Sequence, residues 1–275
     1  MIPTTTLADG TVLPLLGQGT WHLGDDTAAR SSEIATLRTG IELGLTLIDT
    51  AEMYGSGRAE ELVAEAIAGM RDEVFLVDKV LPANASREGT ITACRRSLRA
   101  LGTDRIDLYL LHWPGPHPLE ETIAGFEELR ERGLIGSWGV SNFDPADLAG
   151  LPAMPQVNQI LYNPSRRGPE FDLLPHHRNV HPPIGTMAYS PIEQGRLLDD
   201  PILAEVAGRH EATIAQILVA WAIRTGDVIA IPKSSTPEHV RANAAAAAIE
   251  LTATDLADID AAFPPPTSPL PLEVL

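Results

Sequence analysis

Three short apolar runs of this chain end in ionisable side chains. Leu47-Ile48 runs into Asp49, with Tyr54 close behind; Leu76-Val77-Asp78 runs into Lys79; Leu110-Leu111 runs into His112. One polar residue after an apolar run is ordinarily just solvated. Three such endings of these types make a set that can protonate an oxygen as charge builds on it. A tyrosine has a reference pKa near ~10 and is a poor acid unaided. A lysine ammonium ~4 Å away, at an effective dielectric of ~20, favours the phenolate by up to ~4 kcal/mol before desolvation opposes it. An aspartate beside the lysine keeps it charged and oriented. A histidine on the next strand can hydrogen-bond a substrate carbonyl or help shuttle the proton.

These residues need elements to bring them together. Short apolar runs at Leu15 to Gly17, Leu45 to Ile48, Val74 to Val77, Ile106 to Leu111, Ile135 to Val140, Gln156 to Gln159, Ile184 to Tyr189 and Val228 to Ile231 read as eight strands. Between them lie segments with helical spacing: Ile34, Leu37, Ile41; Ile91, Cys94, Leu98, Leu101; Ile123, Phe126, Leu129; and Ile214, Ile217, Leu218, Trp221. Thr213 followed by Gln216 fits a capping box opening the last of these. Eight strands alternating with helices, without a linker-like break, predict one α/β domain over residues 1–275, a (β/α)8 barrel whose functional groups gather at the C-terminal ends of the strands. A doubly wound sheet shares this alternation, but no G-x-G-x-x-G follows the first strand. The start, Thr4 to Leu7 and Thr11 to Leu13 around Asp9-Gly10, predicts a β-hairpin. The proline-rich stretch Phe263 to Pro271 predicts an extended tail over the surface.

Composition narrows the partners. The 275 residues carry a formal charge of −17, which disfavours nucleic acid and anionic membrane surfaces. Cys94 is the one cysteine, so an intramolecular disulfide and a cysteine-rich zinc site are excluded. The opening residues lack the basic and apolar regions of a signal peptide, and no apolar run approaches ~20 residues, so the expected location is the cytoplasm.

The later strands offer groups suited to a cofactor. Ser141-Asn142 brings a hydroxyl and an amide fit for a carboxamide, and Gln159 ends the sixth strand. Tyr189-Ser190-Pro191 ends the seventh with an aromatic face for a flat ring. Ile231-Pro232-Lys233-Ser234-Ser235 ends the eighth, where barrels bind phosphate near a helix N-terminus.

Over essentially its whole length the chain resembles the aldo-keto reductases. The matching motifs are Gly17-Gln18-Gly19-Thr20-Trp21, Asp49 to Gly55, Lys79-Val80, Leu110 to Pro114, Gly139 to Phe143, Val157-Asn158-Gln159, Ala188 to Pro191 and Ile231 to Ser234. The resemblance implies a TIM-type barrel closed at its base by the N-terminal hairpin. It implies a catalytic tetrad of Asp49, Tyr54, Lys79 and His112, with Tyr54 the general acid and hydride coming from a reduced nicotinamide. By position, Ser141, Asn142 and Gln159 hold the carboxamide and Tyr189 stacks on the nicotinamide. Thr20, Trp21, Ser190, Pro191, Ile192, Lys233, Ser234, Ser235, His239 and Asn243 are further cofactor contacts. Trp21, Tyr54, His112 and Trp113 line the substrate pocket. The implied cofactor is NADPH, with NADH as the alternative; the implied partner is a small carbonyl compound, and the implied state a monomer.

Two departures stand out. Where NADPH-preferring members carry an arginine for the 2′-phosphate, this chain has His239, a weaker partner than a guanidinium. Asp78 stands where a small hydroxyl or apolar residue is more usual, and strand alternation points it away from Lys79. The segments after His112 and Tyr189 are short, which predicts an open pocket and broad reduction of small aldehydes and dicarbonyls, as in methylglyoxal-type reductases. A cofactor-binding regulatory subunit on the same barrel is the rival reading, opposed by the complete tetrad and the lack of an added interaction segment. A metal-dependent barrel hydrolase using Asp49 and His112 lacks a ligand cluster.

Overall fold

The structure, a computed structural model, describes residues 1–275. The chain opens with β1 (Thr4–Thr6) and β2 (Val12–Pro14), paired antiparallel across the Asp9-Gly10 turn. Eight parallel strands follow in sequential order: β3 (Gln18–Gly19), β4 (Leu47–Asp49), β5 (Phe75–Val80), β6 (Ile106–Leu111), β7 (Ile135–Ser141), β8 (Val157–Leu161), β9 (Gly185–Tyr189) and β10 (Val228–Ala230). The sheet closes on itself. Gly17 donates its N–H to the Ala230 carbonyl at 2.9 Å, Ala230 donates to Leu15 at 2.8 Å, and Gly19 donates to Pro232 at 3.2 Å. Parallel bridges join Leu16 to Ala230 and Gly19 to Lys233. This is the (β/α)8 barrel expected from the alternation.

The connections run through α1 (Arg30–Glu42), α2 (Arg58–Ala66), α3 (Arg87–Ala100), α4 (Leu119–Glu131), α5 (Pro145–Ala149), α6 (Leu173–Asn179), the pair α7 (Pro201–Arg209) and α8 (Ile214–Ile223), and α9 (Pro237–Ala246); α10 (Ala253–Ala262) precedes the tail. The four periodic segments fall on α1, α3, α4 and α8, and Thr213 and Gln216 form the expected capping box.

Several strand boundaries differ from the sequence reading; most ends shift by a residue or two, and β5 runs on past Val77 to Val80. The first barrel strand pairs at Gln18–Gly19, and residues 15–17 instead make the closing seam with β10. Gln159 does not end β8, because Ile160 and Leu161 continue the ladder to Ala188 and Tyr189 of β9.

The core has two layers. Leu47, Val77, Leu108, Leu110, Val157 and Met187 fill the barrel interior, while a larger cluster fills the space between sheet and helices. Alternation on β5 sends Val77 inward and Leu76 and Val80 outward. The hairpin packs at the base: a Cβ at Gly185, which begins β9, would come within 2.6 Å of Leu7 Cδ2. The proline-rich tail carries no helix or strand, as its composition predicts, and its end turns back to the opposite face. No helix is long and apolar enough to cross a membrane.

Candidate active site

Asp49 is the last residue of β4, Lys79 lies one residue short of the end of β5, and His112 follows directly on β6. Tyr54 begins the turn that leads from β4 into α2. That turn is left-handed at Gly55, Ser56 and Gly57, and Gly57, at φ +95°, stands immediately before α2. Asp49 pairs in the ladder with Val77, two residues before Lys79, so adjacent strands deliver both side chains to one end of the barrel.

Lys79 is fully buried. Its ammonium donates to Asp49 Oδ2 at 2.7 Å, to the Thr50 carbonyl at 2.9 Å and to the Tyr54 hydroxyl oxygen at 3.1 Å. Its three protons thus have three acceptors. The ammonium only donates, so the proton of Tyr54 points elsewhere. Gln159 Nε2 donates to the other Asp49 oxygen at 2.7 Å. Burial pushes Lys79 toward the neutral amine, but Asp49 and Tyr54 outweigh it and hold the ammonium above its ordinary range.

The electrostatics of Tyr54 correct the simple lysine argument. Burial is the largest influence and raises the phenol above its ordinary value; Lys79 opposes it without reversing it. Tyr54 keeps part of its surface on the cavity. It is a protonated phenol at neutral pH. The His112 ring meets Tyr54 edge-on, with centroids 5.8 Å apart. Burial first, and Lys79 second, push His112 down to about 2, so the imidazole is neutral. Its Nδ1 is buried without a partner.

These groups border a cavity of about 500 Å³ at the C-terminal mouth of the barrel. Asp49, Tyr54, His112, Thr20, Trp21, Trp113, Ser141, Asn142, Gln159, Tyr189, Ser190, Pro191, Ile192 and Lys233 all line it. Lys79 lies behind Asp49 and Tyr54 and touches the cavity only through them. The amide cluster is internally tied. Ser141 Oγ donates to the Gln159 carbonyl at 2.9 Å, Asn142 Nδ2 to the His112 carbonyl at 3.1 Å, and the Tyr189 hydroxyl to Asn142 Oδ1 at 2.9 Å.

Ser234, Ser235, His239 and Asn243 stand apart from the cavity lining, around the N-terminus of α9. Thr236 caps that helix by accepting from the His239 N–H at 3.3 Å, and Asn243 donates to the Ser234 hydroxyl at 2.9 Å. His239 and Lys233 are exposed.

The cavity also has walls that sequence reasoning missed. Gly19 belongs to a recognised motif, and a Cβ there would strike the Ile231 carbonyl at 2.8 Å. His22 rests against Trp21 with ring centroids 4.2 Å apart. Met53, Gln194 and Gly195 line it as well, as do Val274 and Leu275 of the tail, so the mouth is less open than short loops alone predict. Arg166 donates to Glu193 at 2.8 Å and to Glu273, joining the loop after β9 to the tail. His22, Asn142, Ser190 and Gln194 all have positive φ, so strained backbone concentrates at this mouth.

A family model described as the aldo/keto reductase family matches residues 15–263. Methylglyoxal reductase YeaE of Escherichia coli is 48% identical over 273 residues, spanning 96% of this chain and 95% of that protein. An aldo-keto reductase of Mycolicibacterium smegmatis is 38% identical over 272 residues, spanning 94% of this chain and 93% of its own. The crystal structure of a Klebsiella pneumoniae aldo/keto reductase in complex with NADP and acetate matches with a TM-score of 0.95 at 43% identity, covering 100% of both chains.

Proposed function

Given that the chain belongs to the aldo/keto reductase family, a family of NAD(P)H-dependent oxidoreductases, we propose that it reduces small aldehydes, ketones and dicarbonyls to alcohols with NADPH, and that Tyr54 is the general acid. The observation that carries this reading is the Lys79 ammonium, buried and donating to the Tyr54 oxygen at 3.1 Å on the floor of the cavity. Because Lys79 can only donate there, the phenol proton is left for an oxygen in the cavity. The same contact stabilises negative charge on Tyr54 as that proton leaves. Asp49, gripped on both oxygens by Lys79 and Gln159, keeps the ammonium charged and aimed. Neutral His112 serves as a hydrogen-bonding group for the carbonyl rather than as a cationic acid.

The residues present fit a nicotinamide dinucleotide. Tyr189 offers a ring fixed by Asn142, Ser141 and Gln159 bring polar groups beside it, and Gly19 has no side chain between the cavity and the Ile231 carbonyl. Lys233, Ser234, Ser235 and the N-terminus of α9 would take phosphate, with His239 and Asn243 toward the adenosine. When bound, the reduced nicotinamide supplies the hydride. Trp21 and Trp113, with Tyr54 and His112, would surround the substrate. The named relatives support methylglyoxal and NADPH as first probes.

The test follows NADPH, and separately NADH, by absorbance on adding methylglyoxal or an aromatic aldehyde. Consumption of NADPH, and its loss by roughly 10²–10⁴-fold in Tyr54→Phe with cofactor binding retained, is expected. Full turnover in Tyr54→Phe would remove tyrosine from the acid role, and preference for NADH would remove the 2′-phosphate assignment.

A further inference from the structure

Asp78 and Glu60 are two buried carboxyls that this reaction leaves unused. Asp78 lies on β5 beside Lys79 but on the opposite face, in the layer between sheet and helices, and is fully buried. Glu60 reaches the same layer from the first turn of α2 and is 2% exposed. Tyr109 of β6 stands opposite Asp78 in the ladder, and Ser97 and Cys94 come in from α3. Neither Asp78 oxygen, nor Glu60 Oε1, nor the hydroxyls of Ser97 and Tyr109 meets a well-aligned partner.

The neighbouring buried carboxylates each have a cation. Asp49 has Lys79; Glu52 has Arg96 and also accepts from the Leu81 N–H at 2.7 Å and Asn84 Nδ2 at 2.9 Å. Asp78 and Glu60 have none, and the protons of Lys79 are already committed. Two ionised carboxylates side by side in an apolar layer repel each other and lose their water. Two acceptors can bond only if one carries a proton. We infer that Asp78 and Glu60 share one proton in the folded protein, and that the pair is a positioning device that ties β5 to α2 and holds Lys79 against Tyr54.

The contacts form a closed circuit. Tyr54 leads through its turn into α2, Glu60 on α2 meets Asp78, Asp78 adjoins Lys79, and Lys79 returns to Tyr54. Burial pushes both carboxyls up; the charge of Glu60 raises Asp78 further, while the hydrogen bond with Asp78 lowers Glu60, so the shared proton sits on Asp78. Facing them are Lys79 from β5, Glu52 from the segment before Tyr54, Arg96, Ser97 and Cys94 from α3, and Tyr109 from β6. Losing the shared proton would set a second negative charge behind Lys79, and the charge of Asp78 acts to raise Tyr54, making it a weaker acid.

This inference rests on the Tyr54–Lys79 reading for its effect on turnover, but the proton can be read without turnover. Infrared difference spectra of the full chain at neutral pH, wild type minus Asp78→Asn and wild type minus Glu60→Gln, should each show a protonated-carboxyl band. Its absence from both overturns the shared proton whatever the activity. In steady state with NADPH, Asp78→Ala should lower kcat by on the order of tenfold or more with little change in carbonyl KM. Asp78→Asn, whose amide can donate to Glu60, should restore most of it. Unchanged kcat in Asp78→Ala overturns the positioning role; equal loss in Asn and Ala overturns the proton as the tie. Should the Ala variant not fold, Glu60→Gln must retain most turnover while losing the band, and a loss as severe as that of Tyr54→Phe overturns the proposal.

Discussion

The ammonium of Lys79 never reaches the cavity, yet Tyr54 depends on it. Replacing it by methionine leaves Asp49 buried with only Gln159 on its other oxygen. An uncompensated buried charge of this kind costs ~3–5 kcal/mol. Burial and the charges of Asp49 and Asp78 then act on Tyr54 unopposed, so its proton is held still more tightly. Lys79→Met should therefore lose turnover by roughly two or more orders of magnitude and also lower the urea midpoint; a variant of normal midpoint and normal kcat would contradict both arguments. His112 makes a pH prediction. Its folded value is pushed down to about 2, whereas an unfolded histidine takes up a proton below ~6.5. The unfolded chain binds more protons between those limits, so stability is present above ~6.5 and falls as the solution is acidified. Between pH ~7 and ~5 the loss assigned to His112 is about 2 kcal/mol, and it should vanish from the urea titrations of His112→Gln. At this scale the residue types told most of the story: Asp49, Tyr54, Lys79 and His112 converge as their strand-end positions suggested. What they could not tell was the balance of forces on Tyr54, since burial is set by distant parts of the chain.

The candidate groups gather at strand ends because every strand of a closed parallel sheet delivers its C-terminal residue to the same rim. That rule made the elements legible. Alternation placed Lys79 inward and Asp78 outward, and periodicity found α1, α3, α4 and α8. It gave no warning of the turn between β4 and α2, whose conformation depends on glycines and on contacts across the barrel. Gly57 sits there at φ +95° with only Glu60 Oε2, 3.4 Å away, near a new Cβ. Gly57→Ala should thus cost roughly 1–2 kcal/mol through backbone strain rather than crowding. Because the same turn carries Tyr54, kcat should fall more than the cofactor Kd rises; a stability loss with unchanged kcat would show that Tyr54 is held by Lys79 alone. The strand boundaries missed at Gly17 and Gln159 have one cause: pairing continues wherever a neighbouring strand offers bonds, whatever the local hydropathy.

At the scale of the molecule, the tail was legible in its form but not in its destination. Prolines forbid regular structure, yet nothing local says that Val274 and Leu275 return to the cavity or that Glu273 meets Arg166. Removing residues 272–275 should lower kcat/KM for an aromatic aldehyde by about five- to thirtyfold, the worth of ~1–2 kcal/mol of apolar contact. Methylglyoxal, too small to span the mouth, should be nearly unaffected; equal losses would mean that the tail supports the fold rather than the substrate. The seam between residues 15–19 and 230–233 reaches further still, because it joins positions some two hundred residues apart. On the ribosome, β3 leaves the tunnel early and must wait with one edge bare until β10 has been made. Contacts of such long sequence separation form late and slowly, and an unpaired edge is where nascent chains stick to one another. For a growing polypeptide, then, the rim that bears Asp49, Lys79 and His112 is complete only after the last strand arrives, and the interval before that is when a folding chaperone has most to protect.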